Sequence, residues 1–142
     1  MRALFDVNVL LAVLQPDHVH FERAQRWWKA NEQYGWASCP LTQNGFVRIL
    51  SKQSYPKPLP AAEAVIRLIE QTERTDHRFW TDNLSIADQT VFDATGILRP
   101  NQITDVYLLA LAVKNDGRFA TLDESISLRA VRGAEPRHLV VI

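Results

Sequence analysis

The chain has little of what marks several classes of protein. Its single cysteine, Cys39, excludes an internal disulfide and fits a reducing compartment; the short apolar segment around it predicts a buried residue rather than a catalytic thiol. The 16 basic and 16 acidic residues balance, so a nucleic-acid or membrane partner would have to be recognised by a local patch. No apolar run reaches the roughly 18 residues of a membrane span, and a signal peptide is not recognisable. We therefore expect a cytoplasmic protein.

The residues that are present describe a globular α/β domain. The 142 residues are 46% hydrophobic with five glycines, which predicts one domain over residues 1–142. Short apolar runs predict strands at 3–5, 35–39, 77–80, 118–123 and 138–142. Helical spacing predicts helices at 9–14, 19–31 after an Asp17 cap, 43–50 after a Thr42 cap, 61–74, 85–96 after a Ser85 cap, and 101–115. This alternation is typical of a mainly parallel sheet.

Acidic residues follow two of these strands. Asp6 interrupts the first apolar segment at the carboxyl end of its strand, where ligands bind in open α/β sheets. A simpler interpretation is that Asp6 or Asn8 only caps the next helix. Asp123 repeats the arrangement after the fourth strand, and Asp105 lies in the first turn of the helix 101–115. Three such carboxylates converging at one sheet edge would repel one another, and hard oxygen ligands of this kind favour Mg²⁺ or Mn²⁺.

Three segments carry a resemblance to a known family. Residues 4–11 (LFDVNVLL), 104–112 (TDVYLLALA) and 119–123 (FATLD) resemble, in order and spacing, the PIN-domain ribonucleases of the VapC toxin type. The resemblance implies a PIN-like three-layer α/β/α fold and a metal-dependent endoribonuclease. It also implies a homodimer and inhibition by a cognate VapB-like antitoxin. On this basis Asp6, Asp105 and Asp123 are expected to hold Mg²⁺ (or Mn²⁺) beside a scissile RNA phosphate.

One position departs from the family pattern. A glutamate usually begins the helix after the second strand, and this chain has Gln43 there. A neutral amide can donate a hydrogen bond or lend its oxygen, but it adds no charge, so metal affinity should be weaker and a second ion becomes doubtful. Supporting roles around the carboxylates are expected for Asn8, which would orient Asp6, and for Thr121 or Ser125, which would orient Asp123.

Basic residues offer a way to grip RNA, and two other functions compete with cleavage. The C-terminal quarter is rich in cations that could contact phosphates, namely Arg118, Arg129, Arg132, Arg137 and His138, while Arg48 is a separate candidate for phosphate or antitoxin contact. A solvated basic face is the alternative.

Gln43 leaves open a second function, a weakened PIN-like module that binds RNA or an antitoxin without cutting. An aspartyl-phosphate enzyme is disfavoured because position 8, where a second Asp would be needed, is Asn8.

Overall fold

A five-stranded parallel sheet forms the centre of the molecule. The computed structural model describes all residues, 1–142. The strands are β1 Ala3–Phe5, β2 Trp36–Ser38, β3 His77–Phe79, β4 Arg118–Thr121 and β5 Leu139–Val141. Their order is β3-β2-β1-β4-β5, and every neighbouring pair is parallel. The prediction of a mainly parallel sheet is confirmed, and the carboxyl ends of all five strands meet at one edge.

Helices cover both faces of this sheet. They are α1 Val7–Leu14, α2 Phe21–Asn31, α3 Pro40–Leu50, α4 Ala61–Arg74 and α5 Ile103–Lys114. Because successive strand residues point to opposite faces, Phe5 packs in the core with α1 to α4, while Leu4 packs in the core with α5. This is the three-layer α/β/α arrangement that the resemblance implied.

Two helices begin at residues other than the expected ones. α3 starts at Pro40, since proline lacks the N–H that the first turn leaves unpaired anyway. Thr42 therefore lies inside α3 rather than capping it, and its hydroxyl accepts a hydrogen bond from the Cys39 N–H at 3.0 Å. α2 begins at Phe21, and Asp17 forms an ion pair with Lys57 at 3.5 Å instead of capping the helix.

The predicted helix over 85–96 is wrong. This stretch forms turns that end in a short 3-10 helix, Ala94–Gly96. The Asp88 and Asp93 carboxylates accept hydrogen bonds from backbone N–H groups two residues ahead, which offers the backbone an alternative to helical bonding. Phe92 pairs with Val131 in an isolated antiparallel bridge, so the backbone at 91–93 bonds to residues 130–132 and does not continue a helix.

The first turn of α1 and the N-terminal half of α3 are packed tightly together. A Cβ atom added at Gly45 would lie only 2.7 Å from Val7 Cγ2, so the absence of a side chain at Gly45 permits this approach. This contact places the turn of α3 that carries Gln43 next to Val7, the residue that follows Asp6. None of the helices combines the length and apolar character needed to cross a membrane.

Candidate active site

Asp6 lies at the carboxyl end of the central strand β1 and caps α1. Its Oδ1 accepts a hydrogen bond from the Val7 N–H at 2.7 Å, and its Oδ2 accepts one from the Thr121 hydroxyl at 3.3 Å. The expected capping role is therefore confirmed. The side chain is only 8% exposed. Burial raises the pKa of Asp6 against the opposing effect of these two hydrogen bonds, and the Asp123 charge adds to the rise.

Asp105 is a half-buried carboxylate without a partner. It lies in the first turn of α5, and no side-chain hydrogen bond or ion pair involves it. Burial, and then the charges of Asp6 and Asp123, raise the pKa of Asp105 to about 6. A carboxylate held in this way is ready to accept a cation, because a cation would relieve the repulsion that raises its pKa.

Asp123 follows β4 and is exposed, unlike the other two carboxylates. Its Oδ1 accepts hydrogen bonds from both the N–H and the hydroxyl of Ser125, each at 2.7 Å. These bonds lower the pKa of Asp123, and the charge of Arg99 lowers it further. The Thr121 hydroxyl oxygen accepts from the Asp123 N–H at 3.0 Å while donating to Asp6. Thr121 therefore links the Asp6 carboxylate to the backbone of Asp123, and it does not contact the Asp123 carboxylate that it was expected to orient.

The structure brings the three acidic side chains into one electrostatic environment. Asp105 responds to the charges of both Asp6 and Asp123, and Asp6 to that of Asp123. As the side chains stand, no group of three or more His, Cys, Asp or Glu residues is arranged so that it could hold a metal ion by itself. Mg²⁺ normally keeps several waters and uses one or two carboxylates. The donor set of hard oxygens therefore fits a hydrated divalent cation.

The expected supporting residues differ in what they contact. Ser125 and Thr121 touch the carboxylates as described above. Asn8 is exposed in the first turn of α1 and makes neither of the two hydrogen bonds that Asp6 accepts. Gln43 Nε2 donates to the Ser38 hydroxyl oxygen at 2.9 Å, and that hydroxyl is 2.8 Å from His77 Nε2. The amide nitrogen of Gln43 is thus occupied by the protein, and its carbonyl oxygen is the atom left free.

A cavity of about 130 Å³ opens beside Asp105 and Asp123. Its other polar lining residues are Arg99, Asn101, Gln102, Ser125 and Ser127. The sequence interpretation had no role for Arg99 or Ser127, and it treated Asn101 and Gln102 only as the start of a helix. The available signal was the segment Arg99-Pro100-Asn101-Gln102, which immediately precedes the helix carrying Asp105.

The predicted basic patch is divided by the fold. Arg118 opens β4 at the amino-terminal edge of the sheet, opposite the carboxylates. There its Nη2 donates to Asn31 Oδ1 at 2.6 Å, and its guanidinium lies 5.3 Å from the centre of the Trp27 ring. His138 is buried, and Arg137 pairs with Glu135 at 3.1 Å. The exposed side chains that remain are those of Arg48, Arg129 and Arg132; Arg132 Nε donates to the Gln89 carbonyl at 2.8 Å.

The chain is similar to known proteins along almost its whole length. Residues 3–132 match the PIN domain family. Ribonuclease VapC44 of Mycobacterium tuberculosis is 51% identical over 142 residues, which cover 100% of both chains. Ribonuclease VapC39 of the same organism is 37% identical over 134 residues, 94% of this chain and 96% of the relative. Ribonuclease VapC29, also from that organism, is 39% identical over 127 residues, 89% and 90% of the two chains. This chain therefore belongs to the PIN-domain family, within its group of VapC-type proteins.

Proposed function

We propose that this chain is a metal-dependent endoribonuclease toxin that cuts RNA phosphodiester bonds and is inhibited by a cognate VapB-like antitoxin. One observation carries the proposal. The side chains of Asp6, Asp105 and Asp123 come from distant parts of the chain and lie near one another at the carboxyl edge of a parallel sheet. Burial, and then the charges of Asp6 and Asp123, raise the pKa of Asp105 to about 6. Repulsion among clustered carboxylates destabilises the folded protein unless a bound cation offsets it. The membership in the PIN-domain family and the relatives named ribonuclease support the same activity.

The three carboxylates would hold Mg²⁺, or Mn²⁺ in its place. When bound, such an ion supplies a water of lowered pKa as the nucleophile and neutralises charge on the phosphoryl oxygens. Asp6 is fixed by the Val7 N–H and Thr121, and Asp123 by Ser125, so these two are rigid oxygen donors. Asp105 has no such bonds and can adjust to the ion. No side chain of the protein needs to act as a nucleophile.

Gln43 limits the metal content of the site. Its amide nitrogen is bonded to Ser38, so it can offer the site only a neutral carbonyl oxygen. A neutral ligand attracts a divalent ion less strongly than a carboxylate does. We therefore infer one bound ion of modest affinity rather than a two-ion site.

The antitoxin, a second copy of the chain and a cytoplasmic location complete the proposal. A homodimer is supported by the exposed apolar side chains of Leu41, Ile86 and Ile103, which line one cavity with Tyr107. Light scattering of the purified protein tests the dimer, since a monomer at micromolar concentration would contradict it.

A reducing compartment that contains RNA suits both the substrate and the single thiol of Cys39, whose pKa burial raises to about 11.

A catalytically weakened binding module is the second candidate, and the neutral Gln43 favours it. The two candidates differ in turnover. A labelled RNA incubated with Mg²⁺ should be cut by the wild type and left intact when EDTA replaces the metal. Asp105→Asn should abolish cleavage. The control is Asp88→Asn, which makes the same chemical change next to the C-terminal half of α5 and should leave cleavage intact. RNA binding without metal-dependent cleavage in the wild type would favour the module and reject the nuclease.

A further inference from the structure

The residues that line the cavity beside Asp105 fall into two chemical groups. The carboxylates of Asp105 and Asp123 form the first group, and the side chains of Arg99, Gln102 and Ser127 form the second, the donor group. The metal proposed above accounts for the first group only. Only two of the ten residues lining the cavity are hydrophobic.

The free polar atoms of the donor group are hydrogen-bond donors. Gln102 Oε1 accepts hydrogen bonds from the backbone N–H groups of Leu98 at 2.9 Å and Arg99 at 3.0 Å. A backbone N–H can only donate, so this contact fixes the amide orientation and leaves both protons of Gln102 Nε2 free. The Ser127 hydroxyl oxygen accepts from the Arg129 N–H at 3.2 Å, which leaves its proton to donate.

Arg99 adds a positive charge to these donors. Its side chain is exposed and belongs to none of the ion pairs of the structure. It is close enough to Asp123 to lower the pKa of that carboxyl group. This cation therefore lines the same cavity as Asp105 and Asp123 but forms no ion pair with either.

A group of donors with one cation matches a ligand that only accepts hydrogen bonds and carries negative charge. In RNA that ligand is the phosphate, which every nucleotide repeats along the backbone. We propose that Arg99, Gln102 and Ser127 form a subsite for the phosphate adjacent to the one that is cut, because these donors line the same cavity as the carboxylates of Asp105 and Asp123. This inference rests on the proposed function, and it assigns the contacts with the RNA backbone to residues other than Arg118, Arg129 and Arg132.

The test is RNA binding measured separately from cleavage. Fluorescence anisotropy of a labelled 12-nucleotide single-stranded RNA of mixed sequence is recorded in EDTA over a series of KCl concentrations. Arg99→Ala should weaken binding about threefold to tenfold at low salt and reduce the slope of log affinity against log salt by about 0.7, the value for one lost phosphate contact on a single strand. The matched control is Arg74→Ala, an exposed arginine in the last turn of α4, which should change neither quantity.

A second variant separates binding from folding. Gln102→Glu keeps an oxygen for the Leu98 and Arg99 N–H groups but replaces the free donor by an acceptor, so RNA binding should fall while the melting temperature is kept. The same change at Gln53, in the exposed loop after α3, is the control. The subsite is rejected if Arg99→Ala and Gln102→Glu bind RNA like their controls while the wild type still cleaves RNA with Mg²⁺. If the wild type neither binds nor cleaves RNA, the proposed function fails and the subsite fails with it.

Discussion

Replacing Asp105 by Asn should stabilise the folded protein at neutral pH while it removes activity. The pKa of Asp105 rises from 3.8 to about 6 on folding, which corresponds to roughly 3 kcal/mol of unfavourable free energy for the ionised form. Because the side chain is only half buried, solvent screening reduces this to about 1–2 kcal/mol. Asparagine keeps the shape without the charge, so the folded variant avoids both the cost of burying the charge and its repulsion by Asp6 and Asp123.

The sign of the effect depends on pH. A folded pKa above the unfolded value means that the folded chain binds the proton more tightly. The contribution of Asp105 to the stability of the wild type should therefore fall as pH rises from about 4 to about 6 and stay level above that. Asp105→Asn has no carboxyl group at this position and so does not lose this stability. Its melting temperature should equal that of the wild type near pH 4 and exceed it by about 3–6 °C above pH 6, for a chain of this size.

Thermal and urea unfolding in EDTA between pH 4 and 8 measure the difference directly. Asp88→Asn is the control, because the side-chain and backbone hydrogen bonds from Thr90 lower the pKa of Asp88 instead of raising it. The control variant should show no gain at neutral pH. An Asp105→Asn protein that melts at or below the wild-type temperature at pH 7.5 would refute the reasoning, and so would a gain that stays constant from pH 4 to pH 8.

Three further predictions concern the other residues of the site. Asp6→Ala should destabilise the protein by about 1 kcal/mol in urea unfolding because it removes the cap that accepts from Val7; an unchanged midpoint would contradict the capping role. Gln43→Glu should tighten Mg²⁺ binding in calorimetry and raise activity, and an unchanged affinity would remove Gln43 from the metal site. Ser125→Ala should raise the pKa of Asp123 towards its ordinary value by deleting one of two hydrogen bonds, which a carboxyl NMR titration would detect or exclude.

The main acidic residues could be predicted because their signals are local. Asp6 and Asp123 each end an apolar run of strand length, and the parallel arrangement that brings strand ends together follows from the alternation of elements. Asp105 opens a helix whose buried residues extend almost all around it. Periodicity and a charged interruption therefore place these residues at the ends of two strands and the start of a helix, without knowledge of any tertiary contact, while their role at a metal stays a prediction.

The parts that sequence reasoning missed depend on contacts between distant residues. The stretch 85–96 has helical spacing, but it forms turns, and the bridge from Phe92 to Val131 engages its backbone with a distant segment. The bond from Gln43 to Ser38 and the contact of Ser38 with His77 require the pairing of β2 with β3. Arg118 was grouped with the other arginines by sequence position, yet the direction of β4 places it at the opposite edge of the sheet.

The pairing of β1 with β4 ties the chemistry of this protein to the completion of its folding. Thr121 donates to Asp6 across a sequence separation of 115 residues, and β4 is hydrogen-bonded directly beside β1. Contacts of such long range form slowly, because a large loop must close before they contribute any stability. A chain in which this ladder has not yet formed has Asp6 at the end of an unpaired strand edge, with Asp123 elsewhere. We therefore expect partly folded copies to be inactive and the protein to cleave RNA only after β4 has paired with β1.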